Sequence, residues 1–117
     1  MENNILKVKI HEFIKLTYQY SNQFPKNELY ALTSQLRRAA VSVMLNFLEG
    51  YARIKENVKL NFWEISYGSA RECKYIIYLA KELKYFSEDE YLKLTNLIDE
   101  ISAMLWVSMT KIKNRKL

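Results

Sequence analysis

The chain has 117 residues, half of them hydrophobic and 26% charged, with a net charge of +5. That length suits a single domain, and the apolar half argues against disorder because enough surface can be buried to offset the entropy of ordering. One Cys excludes an internal disulfide, the opening Met-Glu-Asn-Asn lacks the basic start and apolar run of a secretion signal, and no stretch nears the ~18 uncharged apolar residues of a membrane span. The expectation is a cytoplasmic protein with no membrane association.

Only 2 Gly and 1 Pro are present, against typical usage of about 7% and 5%. So few turn residues imply long helices with short connections. The first helix, expected over about 4–22, carries Leu6, Ile10, Phe13, Ile14, Thr17 and Tyr20 at spacings of three and four. A polar break around Pro25 follows. The second, about 28–50, carries Leu29, Leu32, Leu36, Ala39, Ala40, Val43 and Phe47, and is expected to end at Gly50, since Gly commonly stands just past a helix end. The third, about 56–85, carries Phe62, Ile65, Ser69, Cys73, Ile76, Ile77, Ala80 and Leu83. Gly68 lies inside it at a cost of about 1 kcal/mol relative to Ala, which suggests a close approach between helices. Ser87 and Glu90 then form a capping box, with acids clustered at the positive end of the helix dipole. The fourth helix, about 88–114, carries Leu94, Ile98, Ile101, Leu105, Met109 and Ile112, and residues 111–117 read as a basic tail. Short connections make such helices antiparallel neighbours. The expected fold is all-α, one domain over 1–117, an up-down-up-down four-helix bundle.

The apolar surface exceeds what one bundle needs. Helix three has a second stripe of Trp63, Tyr67, Ala70, Tyr75 and Tyr78; helix four adds Leu97, Met104, Trp106 and Val107; and the run Ala39–Leu48 is apolar nearly all round. A helix of that kind is enclosed on every side, so self-association is expected, with a sister copy covering Val41, Leu45 and Leu48. Within helix two runs a polar line of Gln35, Arg38, Ser42, Asn46 and Glu49, spaced to share one face. Partly desolvated charges need partners. Arg38 and Glu49 are about 16 Å apart along the helix, so each looks to helix three, where Glu72 and Arg71 are the candidates. The expected role is a hydrogen-bonded network fixing register and subunit contact; an active site using Glu49 and Glu72 is the weaker alternative.

Catalytic and metal chemistry finds little footing. His11 has no ligand-spaced companion, Cys73 lies on an apolar stripe with no His nearby, and two Gly cannot build a phosphate loop. No enzyme activity, metal or cofactor is expected. The charge is more informative. Lys111, Lys113, Arg115 and Lys116 supply four positive charges, and without them the balance is 14 basic to 13 acidic residues. Arg37, Arg53, Lys55 and Lys59 gather about the second break. These eight side chains are candidates for contact with RNA or DNA phosphates, an interaction driven by counterion release and amplified by assembly.

In helix two, Leu32-Thr33-Ser34-Gln35-Leu36-Arg37-Arg38-Ala39-Ala40-Val41-Ser42-Val43, then Asn46 and Glu49-Gly50, resembles the signature of the 23S rRNA intervening-sequence protein family, also called the four-helix bundle protein family. Phe24-Pro25-Lys26 before it, and Gly68-Ser69 with Glu72 in helix three, match as well. The resemblance covers nearly the whole chain and implies an antiparallel four-helix bundle, a homopentamer and no known enzyme activity. Some members are encoded within large-subunit rRNA genes. The family is also similar to the accessory protein of diversity-generating retroelements, which implies RNA or DNA and a reverse transcriptase as partners. Where the family commonly has a Pro and small residues between Val43 and Glu49, this chain has Met44, Leu45, Phe47 and Leu48. Without that Pro, helix two should run straighter.

Overall fold

The computed structural model describes residues 2–116, and the side chains of residues 4–115. It contains helices α1 (Glu2–Ser21), α2 (Leu32–Tyr51), α3 (Glu56–Glu82) and α4 (Glu88–Lys116), with a 3-10 turn at Lys26–Glu28 and no strand among the described residues. Each helix packs on its neighbours in sequence, and α4 closes back onto α1. The result is an all-α, antiparallel up-down-up-down bundle. Its long dimension of 48 Å is set by α3 and α4, which at 1.5 Å per residue are about 40 Å long.

The core is built from the apolar stripes. Leu6, Ile10 and Phe13 of α1 meet Leu36, Val43 and Phe47 of α2, Ile77 of α3, and Leu94, Ile98, Ile101, Leu105 and Ile112 of α4, all at most 1% exposed. On α3 the buried residues are Trp63, Ser66, Ser69, Ala70, Cys73, Ile76, Ile77 and Ala80. The expected line holds from Ser69 to Ala80 but is displaced by one residue at its start, where Trp63 and Ser66 are buried in place of Phe62 and Ile65, and Ile65 faces out. The displacement has a cause. The Trp63 Nε1–H donates to the Phe47 carbonyl at 3.1 Å and the Ser66 hydroxyl to the Val43 carbonyl at 2.6 Å, which turns this face toward α2.

Three helix ends differ from the pattern read in the sequence. α2 starts at Leu32, not near 28. In a helix continuous through 28 the Leu32 N–H would bond the Glu28 carbonyl; here it reaches the Glu28 carboxylate at 3.4 Å, which also accepts the Tyr85 hydroxyl at 2.8 Å. α3 stops at Glu82 because Lys84 takes a left-handed φ of 66°, with the Tyr85 N–H bonded to the Ala80 carbonyl at 2.8 Å. That is a Schellman closure made without Gly. Leu29 and Leu83 fall outside the helices and are about half exposed. Finally, residues 111–116 are not a free tail: they continue α4, and Ile112 is fully buried.

The close approach expected at Gly68 occurs instead at Gly50. Gly50 lies within α2, buried against the Trp63 indole, and the helix runs on to Tyr51. Gly68 is exposed and has nothing within 4 Å of where a Cβ would stand, so it marks no close approach within the chain.

Candidate functional site

α2 and α3 form the most intimate pair in the bundle, because small residues line their contact: Ala39, Ala40, Val43 and Gly50 against Ser66, Ser69, Ala70 and Cys73. Along the rim of that contact lies the polar line. The Gln35 amide donates to Glu72 Oε2 at 2.8 Å, the Ser42 and Ser69 hydroxyls share a hydrogen at 2.8 Å, and the Asn46 amide donates to the Ser42 carbonyl and hydroxyl, both at 3.0 Å. Five polar side chains from two helices thus form one seam, which fixes their register because a one-turn slip would unpair the bonds between them.

The two charges of the line are not part of this seam. Glu49 pairs with Arg53, one turn on and just beyond the helix, not with Arg71. Arg38 is exposed and has no ion-pair partner among the described residues, because Glu72 is taken by Gln35. Both charges sit far enough out of the contact for water to solvate them, so neither requires a partner across the helices. Glu49 and Glu72 do not meet either. Glu72 bonds Gln35, fourteen positions before Glu49 on α2, or about 21 Å along the helix. The alternative of a carboxylate pair at these residues therefore fails.

The basic residues separate into two groups. Arg37 belongs to the scaffold: its Nε donates to Ser21 Oγ at 2.9 Å, its Nη2 to the Tyr18 carbonyl at 3.3 Å and Asn22 Oδ1 at 3.0 Å, and its guanidinium lies 4.8 Å from the Tyr18 ring centre. It is about 24 Å along the bundle from Arg53. The other cations converge at the opposite end. The last turns of α4 pack beside the start of α3, where Arg115 stands 3.5 Å from Glu56. This brings Lys111, Lys113 and Arg115 to the same end as Arg53, Lys55 and Lys59. Lys59 leans over the Tyr51 and Trp63 rings at 5.6 and 5.4 Å, and Arg53 over Phe62 at 5.2 Å. Lys55 and Lys113 are exposed with no ionic partner among the described residues. The side chain of Lys116 lies outside the described residues. Beside these cations, Ile54 stands at the α2–α3 turn 96% exposed.

Two residue roles escaped the sequence reading. The Glu28 carboxylate accepts the first N–H of α2, whose N-cap Ala31 has no capping side chain, and Arg37 supplies the cation at the end of α1, whose last turn has none of its own. No local signal marks either, since both depend on which helix lies alongside. The Cys73 thiol is buried, and burial, reinforced by the nearby Glu72 charge, pushes its pKa up to about 12. It is inert packing material at ordinary pH. Among the described residues no three His, Cys, Asp or Glu side chains gather as a metal would require, and no helix is long and apolar enough to cross a membrane.

Fold and surface together define a small antiparallel helical bundle with a hydrogen-bonded α2–α3 seam and one cationic end. The chain belongs to the 23S rRNA-intervening sequence protein family, whose model matches residues 2–107. A crystal structure of a protein of unknown function from the S23 ribosomal protein family of Bacteroides thetaiotaomicron has the same fold, with a TM-score of 0.85 over 94% of this chain and 99% of that one, at 22% identity. No functionally curated protein matches the chain. Neither the family nor this structural relative points to an enzymatic class.

Proposed function

We propose that this protein is a non-enzymatic, cytoplasmic, homo-oligomeric scaffold whose cationic end engages RNA or DNA phosphates. The observation that carries the reading is the convergence of two cation groups, separate in sequence, at one end of the bundle, with Arg115 beside Glu56. At that end Arg53 pairs with Glu49 and Arg115 with Glu56, while Lys55 and Lys113 have no ionic partner among the described residues, so a positive field persists after local pairing. Helix ends on rigid elements also hold cations at fixed spacing, which a loose tail would not.

Self-association is supported by the outer face of α2. Leu45 and Leu48 are 59% and 39% exposed and Val41 is half-buried, forming an apolar line beside Arg38. Single exposed Leu residues need no explanation, but a line of them on one helix is a contact surface. Five copies is the number the family resemblance implies, and each would add its own cationic end to the assembly.

The test uses substitution, because truncation after Thr110 would also remove the core residue Ile112. Wild type should bind structured RNA or duplex DNA at low salt and lose affinity steeply between 50 and 200 mM salt. Replacing Lys55, Lys111, Lys113 and Arg115 with Gln should flatten the log–log salt slope on duplex DNA by roughly 0.9 for each phosphate that is no longer neutralised. No binding by wild type at low salt would overturn the nucleic-acid reading. For assembly, light scattering should show a multimer that Leu45→Glu dissociates; a monomeric wild type at micromolar concentration removes that part.

A further inference from the structure

α3 and α4 enclose a groove on a different face from the exposed line of α2. It has a volume of about 270 Å³ and is lined by Arg71, Lys74, Tyr75, Tyr78 and Tyr91. Tyr75 is 63% exposed and Tyr78 46% exposed, so two phenol rings stand largely in water along one wall. Further along the same pair of helices Trp106, 52% exposed, packs on Tyr67 with ring centres 5.5 Å apart. Tyr67, Arg71, Tyr75 and Tyr78 follow one another at spacings of four, four and three, which aligns them on one side of α3. Aromatic surfaces therefore occur at two stations about 12 Å apart, the distance from Tyr67 to Tyr75 along the helix.

One cation along this track is left for an anionic occupant. Lys74 is held by Asp99 at 2.7 Å and Lys81 lies 4.0 Å from Glu82, while Arg71, between the stations, has no partner among the described residues. From Trp106, α4 continues about 8 Å to Lys111 and the cationic end. A polyanion lying along the groove would meet exposed rings first and the dense positive charge next.

We infer that the α3–α4 groove is a stacking platform for single-stranded nucleic acid, with Tyr75, Tyr78 and Trp106 taking bases and Arg71 taking a phosphate between them. This rests on the proposed nucleic-acid function and specifies the form of the ligand. Ring stacking is favourable for every base, so such a platform needs no base-reading hydrogen bonds, and the sequence has no motif for them. A duplex keeps its bases stacked on one another and offers the rings nothing.

The experiment is fluorescence anisotropy of the full chain with a short labelled oligo(dT) and with a blunt duplex of equal length at low salt. The single strand should bind more tightly than the duplex. Tyr75→Ala with Tyr78→Ala should weaken single-strand binding by roughly tenfold or more, with little change in duplex binding or salt slope. Phe at both positions should restore it, since the ring and not the hydroxyl does the stacking. Arg71→Gln should lower the single-strand salt slope by roughly 0.7. Unchanged single-strand affinity in the Ala variants, or equal preference for duplex, overturns the platform while leaving phosphate binding at the cationic end intact. Dissociation of the oligomer by these variants overturns it too, because the groove would then be a subunit contact. If wild type binds neither probe, both proposals fall together.

Discussion

The indole of Trp63 lies directly over Gly50, its Nε1–H donating to the Phe47 carbonyl at 3.1 Å. A methyl group at position 50 would stand 2.5 Å from Trp63 Cδ1 and 3.0 Å from the Lys59 carbonyl. The ring is hydrogen-bonded and stacks on Phe47 with centres 5.7 Å apart, so it has little freedom to withdraw. Gly50→Ala should therefore destabilise the fold by about 1–3 kcal/mol, the usual cost of overpacking. At Gly68, where a Cβ meets nothing, Ala should stabilise by about 0.5–1 kcal/mol through helix propensity alone. Urea melts of the two variants should move in opposite directions.

Why the close approach falls at Gly50 and not at Gly68 shows how far the sequence could be read. The four apolar stripes carry the fold, because a 3.6-residue period is a local property and survives in the buried sets of every helix. The capping box was equally legible: the Ser87 N–H bonds Glu90 Oε1 at 2.9 Å, and the Glu90 N–H bonds Ser87 Oγ at 3.2 Å. Positions with no local signature were not. Nothing near Gly50 in sequence announces Trp63, thirteen residues away on the next helix. The partners of Arg37 and Glu49, and the lack of an ionic one for Arg38 among the described residues, depend on how long side chains reach across or along helices, and register settles that only after packing. The polar seam lies between these cases: spacing put Gln35, Ser42 and Asn46 on one face, but Ser69 as the partner of Ser42 became visible only in the structure.

Lys84 is the one non-Gly residue at positive φ among those described, and it closes α3. A left-handed backbone costs an L-residue roughly 1–2 kcal/mol that Gly does not incur. Lys84→Gly should leave the closing bond from the Tyr85 N–H to the Ala80 carbonyl in place and raise thermal stability by a few degrees. Calorimetry checks this; a lower midpoint would mean that the Lys84 side chain contributes more than the strain costs.

Glu90 sets the expected response to acid. Partial burial pushes its carboxyl pKa up, but the Ser87 N–H, the Gln23 amide and the Ser87 hydroxyl together outweigh burial and hold it below its ordinary value near 4.5. A carboxyl depressed in the folded state binds its proton less readily than in the unfolded chain. The stabilisation is therefore present above about pH 4.5 and is lost as pH falls through the lower folded value. Glu90→Gln should remove part of this acid sensitivity, seen as a shallower fall of the melting midpoint below pH 4.5, while costing some stability at neutral pH through the weakened cap. An unchanged pH profile would mean that other carboxylates dominate the acid limb.

Arg37 separates scaffold from binding surface. Three hydrogen bonds and the Tyr18 ring fasten it to the end of α1, which otherwise presents its last carbonyls without a cation. Arg37→Ala should lower stability by about 1 kcal/mol, because the Ser21 hydroxyl loses its donor at a partly buried contact, while the Tyr18 carbonyl keeps the Ser21 hydroxyl. Lys in its place should recover only part, since a single ammonium cannot reproduce the guanidinium fork. Nucleic-acid affinity and its salt slope should stay at wild-type values for both variants, measured well below their unfolding midpoints, because this side chain lies at the far end of the bundle from the converged cations. A variant that melts like wild type but binds nucleic acid weakly would return Arg37 to the phosphate-contacting set. It would also mean that the positive field proposed for the α3–α4 end extends the length of α2.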